Sequence, residues 1–146
     1  MKRAQFSVKI NAPKEKVWSV LWNDSSYRTW TSVFTEGSYA VSDWNEGDKI
    51  LFLAPDGRGM FSKIAKKKSP ELMAFKHLGI IKDGKEQPED EETKRWTGAM
   101  ETYILRGTDG HTELLVELDT TDDHMNYLKG FFPKALEKVK ELAEGQ

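Results

Sequence analysis

"DDHMNYLKGFFPKALEKVKELAE", Asp122 to Glu144, sets what the rest of the chain has to be. Met125, Leu128, Phe132, Ala135, Leu136, Val139 and Leu142 recur at intervals of three and four, the spacing that gathers side chains on one face of an α-helix. Thr121 or Asp122 stands where a helix cap belongs. Pro133 has no backbone N–H to donate, so a kink or break is expected near Gly130. A long helix with one broad apolar face needs a concave surface to lie in, and the upstream sequence supplies strands to build it.

Immediately before the helix, Leu114, Val116 and Leu118 alternate with Glu113, Glu117 and Asp119 in a strand from Thr112 to Thr121. Further back lie expected strands at Arg95–Leu105, Leu72–Ile81, Met60–Lys67, Lys49–Ala54 and Ser38–Ser42, separated by turn sequences such as "PDGRG", "DWNEGD" and "GTDGH". A polar insert, "KDGKEQPEDEETK", interrupts this meander after Ile81. Near the N-terminus Phe6, Val8 and Ile10 alternate as a strand. "NAPKEKVWSVLW" then changes period: Asn11 offers a cap, Pro13 suits a first turn, and Val17, Trp18, Leu21 and Trp22 share a face. Asp24, Ser25 and Ser26 start a second short helix, to about Thr31. The expected fold is α+β: a curved antiparallel sheet of about six or seven strands around a long C-terminal helix, with two short helices after the first strand.

The chain has 146 residues, one domain's worth (1–146), with no internal repeat or linker. Its 22 basic and 24 acidic residues nearly balance, which gives no reason to expect a nucleic-acid partner. No cysteine is present, so disulfides, thiolate metal sites and cysteine nucleophiles are excluded. There is neither an apolar run long enough for a membrane span nor a signal-peptide core after "MKRAQFSVKI", so a cytoplasmic location is expected.

"VKINAPKEKVWSVLWNDSSYRTW", "GSYAVSDWNEGDKILFL", the "HLG" at His77–Gly79 and "FFPKALEKVKELAE" together resemble the START-like, or SRPBCC, superfamily. Within it the chain is most similar to bacterial proteins grouped with activator of heat-shock-protein-90 ATPase homologues. The resemblance covers nearly the whole chain. It implies a helix-grip fold with a deep cavity between sheet and terminal helix, a site for lipids and other apolar molecules. It also implies two other roles: a co-chaperone-like module that stimulates a chaperone ATPase, though without the further domain of full activators, and a cyclase- or hydrolase-like enzyme.

The residues themselves narrow the choice. His77, His111 and His124 are too far apart in sequence for the spacings of zinc motifs, and no cofactor fingerprint occurs. No serine has an elbow motif or an assignable base. His77 shares a strand face with Met73, Phe75, Gly79 and Ile81. There it either meets a ligand, as hydrogen-bonding group or acid–base, or is a structural histidine bonded to a neighbouring strand or carboxylate. Glu101 is expected to point outward, because Trp96, Gly98, Met100 and Ile104 form the more apolar face; the alternative is a buried carboxylate beside the cavity.

Trp18 and Trp22 are expected in the core. Trp44 is expected to pin the turn at "DWNEGD". Trp30, Phe34, Phe52, Met60, Phe75, Met100, Tyr127 and Phe131 are the expected cavity lining, with His77 and Tyr127 as the polar groups that orient a ligand. Trp30 is placed at the entrance, with the second short helix and the loop after Ile81 as gates and the segment beyond Gly130 as the part that moves. The expected function is non-catalytic binding of a small hydrophobic or lipid-like ligand, by a monomer or by a dimer formed through an exposed strand or the polar insert.

Overall fold

The computed structural model describes residues 1–145; Gln146, the last residue of the expected domain, lies outside them. The chain runs β1 (Lys2–Ile10), α1 (Lys14–Trp22), α2 (Asp24–Thr31), β2 (Tyr39–Val41), β3 (Lys49–Leu53), β4 (Gly59–Lys68), β5 (Leu72–Lys82), β6 (Lys85–Glu86), α3 (Glu91–Lys94), β7 (Met100–Thr108), β8 (His111–Thr120) and α4 (Asp122–Glu144). The strands form one antiparallel sheet in the order β1-β8-β7-β5-β4-β3-β2, with the short β6 added to β5. That makes eight strands where six or seven were expected. The extra one is a two-residue pairing inside the polar insert, too short to carry a hydrophobic period.

Period-two alternation decides the inner face. Along β8, Thr112, Leu114, Val116, Leu118 and Thr120 are buried while the intervening residues are partly exposed. β1 pairs with β8 over nine residues and turns Phe6 inward, where its ring stacks on Phe132 of α4 at 5.2 Å. Register shifts in β4 at Phe61/Ser62 and Ile64/Lys66 bend that strand, as bulges do. The "PDGRG" hairpin turns at Gly57, whose φ of +85° only glycine adopts freely.

α1, α2 and α4 pack together on the concave side, and α4 also lies against β1. Buried Leu128, Phe132, Ala135, Leu136 and Val139 form the face of α4 that does this. The helix runs unbroken through Pro133, contrary to the expected break near Gly130. Pro133 is on the exposed side, where the carbonyl it leaves unpaired can be hydrated. α1 is capped at Pro13 rather than Asn11, and no side chain makes the cap. Among the described residues no helix is long and apolar enough to cross a membrane.

β7 requires a correction. It starts at Met100, not Arg95; the preceding residues form α3 and two turns. Its inward residues are Glu101, Tyr103 and Leu105, set opposite the buried Leu118, Val116 and Leu114 of β8. Trp96 and Gly98 were counted for the other face, but they are not in the strand. Without them neither face of β7 is clearly the more apolar, and the neighbours' register decides.

Candidate functional site

A cavity of about 580 Å³ lies between the sheet and the helices. β3, β4, β5, β7 and β8 line one side, and α1, α2 and α4 line the other. Aromatic rings form much of its wall. Trp22 of α1 meets Tyr103 edge-on at 4.9 Å and Phe75 at 5.4 Å. Trp30 of α2 meets Tyr27 at 5.5 Å and Tyr103 at 6.3 Å. Phe52 of β3 closes the far end against Phe75 at 5.2 Å. The lining residues that are exposed, Glu92, Asp123, His124 and Tyr127, mark the mouth, between α3 and the first turns of α4.

One polar row crosses this apolar wall, built by three adjacent strands. Ser62 on β4 pairs directly with His77 on β5, and its Oγ lies 2.7 Å from His77 Nδ1. His77 Nε2 lies 3.0 Å from Oε1 of Glu101 on β7. The Tyr103 hydroxyl, two residues further along β7, donates to Glu101 Oε2 at 2.5 Å. Ser62 has no other hydrogen-bond acceptor among the described residues, so its hydroxyl donates to Nδ1. The His77 ring is then the Nε2–H tautomer and donates to Glu101. Glu101 thus receives two hydrogen bonds and gives none, the pattern of a carboxylate.

Burial pushes the phenols of Tyr103 and Tyr27 well above their ordinary range, and the Glu101 charge adds to the effect on both. At the mouth, the Thr121 hydroxyl holds the Asp123 carboxyl below its ordinary value. The Trp22 indole N–H is buried and has no acceptor among the described residues.

Of the residues expected to line a cavity, Trp30, Phe34, Phe52, Met60, Phe75, His77 and Tyr127 do so. Met100 does not: alternation along β7 turns it to the other face from Glu101 and Tyr103. Phe131 does not either. It lies one step round the helix, against Tyr127 at 4.8 Å and under the Lys134 ammonium at 5.8 Å, and Phe132 takes the inward place. Trp30 is not at the entrance. It is only 2% exposed, and its indole N–H donates to the Leu21 carbonyl at 3.1 Å, so it is inner wall.

Trp44 stands half-buried at the turn, with a φ of +65°. Its N–H is held by Ser42 Oγ, its carbonyl by Lys67 Nζ, and its ring lies against Trp22. Sequence reasoning leaned the wrong way on Glu101, whose inward placement is the alternative it kept, and missed Tyr103, Tyr27 and the cavity role of Trp22. The one available signal was a carboxylate in mid-strand, "AMETYIL", whose partners lie on other strands.

No protein-family model matches the chain, and no curated protein matches it. Solved structures do. The Aha1 dimer from Colwellia psychrerythraea superimposes with a TM-score of 0.74 at 20% identity, over 99% of this chain and 97% of that one. ChR145 from Cytophaga hutchinsonii gives 0.73 at 21% identity, over 99% and 95%. CalU16 from Micromonospora echinospora gives 0.67 at 15% identity, over 97% and 75%. A likeness at these identities is one of architecture, and the architecture is the one the START-like resemblance implies: the chain has the helix-grip fold, an antiparallel sheet wrapped on a long C-terminal helix.

Proposed function

We propose that this is a single START-like domain, working in the cytoplasm, that binds a small apolar ligand between sheet and helices without transforming it. The observation that carries the reading is the cavity: about 580 Å³, walled by aromatic side chains, with one short polar row. Its volume falls within the range of about 300–1,000 Å³ that suits drug-sized ligands. A concave space with aromatic lining and a few polar groups is the usual form of a small-molecule site. Ser62 is fully buried and does not line the cavity, which argues against a hydrolase using it as nucleophile. The polar row is suited to orient a ligand.

Titration with Nile red, an uncharged dye that brightens in apolar surroundings, tests the reading. Saturable one-to-one uptake, with quenching of the cavity tryptophans, is the expected outcome; no uptake by folded protein contradicts it.

A co-chaperone role is the second reading, supported by the likeness in fold to the Aha1 structure. It predicts a change in a chaperone's ATPase rate on adding purified protein, and an unchanged rate disposes of it.

A further inference from the structure

The charge around the cavity is one-sided. Three carboxylates stand at it, those of Glu92, Glu101 and Asp123, and no lysine or arginine is among the described lining residues. Two of the three are answered from outside the cavity, Glu92 and Asp123 by Arg95, at 3.5 and 3.7 Å. Glu101 has no lysine or arginine partner among the described residues. Its contacts are His77 and the Tyr103 hydroxyl.

Its side chain is only 19% exposed, among rings. A carboxylate offers about four lone-pair sites, and two of these are used, one on each oxygen. Each oxygen thus keeps acceptor capacity. A largely buried carboxylate with no lysine or arginine partner is costly, and a ligand that brought an ammonium group would offset that cost.

The surroundings favour a cation twice over. Tyr103, Trp22, Phe75 and Phe52 present aromatic rings around the polar row, and ring faces attract ammonium groups, most strongly where water is excluded. The ligand's apolar body has the rest of the cavity.

Resting on the apolar-ligand reading above, we propose that the occupant is a cationic amphiphile: an aryl or alkyl body bearing an ammonium group that docks on Glu101 between Tyr103 and His77. An anionic lipid or fatty acid is disfavoured by the same geometry, since no lysine or arginine is among the described lining residues to receive its head group beside Glu101.

The test uses three probes of one shape, phenylbutylamine, phenylbutanol and phenylbutyrate, titrated calorimetrically into the full chain at neutral pH and physiological salt. The amine is expected to bind about tenfold or more tighter than the alcohol, the gain of a charge-assisted hydrogen bond over a neutral one. The carboxylate is expected to bind weakest. Glu101→Gln should erase the amine's advantage over the alcohol, and a native-like far-UV circular dichroism spectrum with a cooperative thermal transition shows that the variant is folded. An alcohol that matches or beats the amine on the unaltered protein overturns this inference and leaves the apolar-ligand reading standing. So does an amine preference that survives in folded Glu101→Gln. Failure of all three probes to bind overturns both.

Discussion

His77 on β5 and Glu101 on β7 meet diagonally across two neighbouring strands, Nε2 to Oε1 at 3.0 Å, although the residue directly opposite Glu101 is Phe75. The contact exists because both side chains stand on the concave face, two positions apart in register. With Ser62 bonded to the other ring nitrogen, His77 joins three strands through side chains as well as through the ladder. His77→Ala leaves the buried Ser62 hydroxyl without an acceptor and Glu101 short of a donor. It should destabilise the fold by about 1–3 kcal/mol, read as a lower urea midpoint. An unchanged midpoint would show that the row contributes nothing to stability.

The two buried tyrosines make an alkaline prediction. Tyr27 and Tyr103 hold their phenolic protons in the fold above the ordinary value of 10.0, through burial first and the Glu101 charge second. In the unfolded chain the same groups ionise near that ordinary value. Above about pH 10 the folded state therefore binds more protons than the unfolded state, and stability must fall as pH rises. Their stabilising contribution is complete below that pH. Phenolate absorbance should show Tyr27 and Tyr103 ionising only as the fold is lost. Tyr27→Phe should flatten the alkaline decline, and an equally steep decline in the variant would contradict the assignment.

Adding one methyl group should have opposite effects at two glycines. Gly130 lies in α4, exposed, with nothing within 4 Å of the position a Cβ would take. Gly130→Ala should stabilise by about 1 kcal/mol, the helix-propensity difference. At Gly59, where β4 begins, a Cβ would sit 2.0 Å from the Phe52 carbonyl oxygen. Gly59→Ala should destabilise by about 1–3 kcal/mol, because backbone has to move. Thermal unfolding of both variants checks the two signs.

Tyr127 is 38% exposed and stacks with His124 at 4.9 Å on one side of the mouth. Its ring also lies 6.4 Å from Phe34, which faces it from the segment after α2. Tyr127→Ala should speed dye release several-fold in stopped-flow measurements. Stability should change by less than about 1 kcal/mol, since few buried contacts are lost.

The α4 stripe and the β8 alternation were legible because each element satisfies one period over many residues, and together they require a sheet closed on a helix. Phe131 and Phe132 show the limit. The periodicity selects Phe132 for the inner face, and the adjacent phenylalanine followed it into the expected lining only by being aromatic. Met100 and Glu101 fail for a different reason. Their faces depend on where β7 starts, and the turns after α3 carry aromatic and glycine residues that imitate strand. The polar row was the least legible part. Ser62, His77 and Glu101 are spread over 40 positions, and only the sheet order β7-β5-β4 makes them neighbours. Trp22 and Trp30 were readable as buried residues, but a cavity among buried residues depends on how elements cross, which no local pattern encodes.

Whether the space between sheet and helix holds a small molecule can be read from the mass of the native protein. Native mass spectrometry of freshly purified protein, compared with the same sample denatured, measures this most directly. The account predicts that part of the native population carries one small organic molecule per chain, lost on denaturation and displaced by an excess of the amine probe. Protein that has only its own mass, and stays so after incubation with the amine, the alcohol and Nile red, would contradict it.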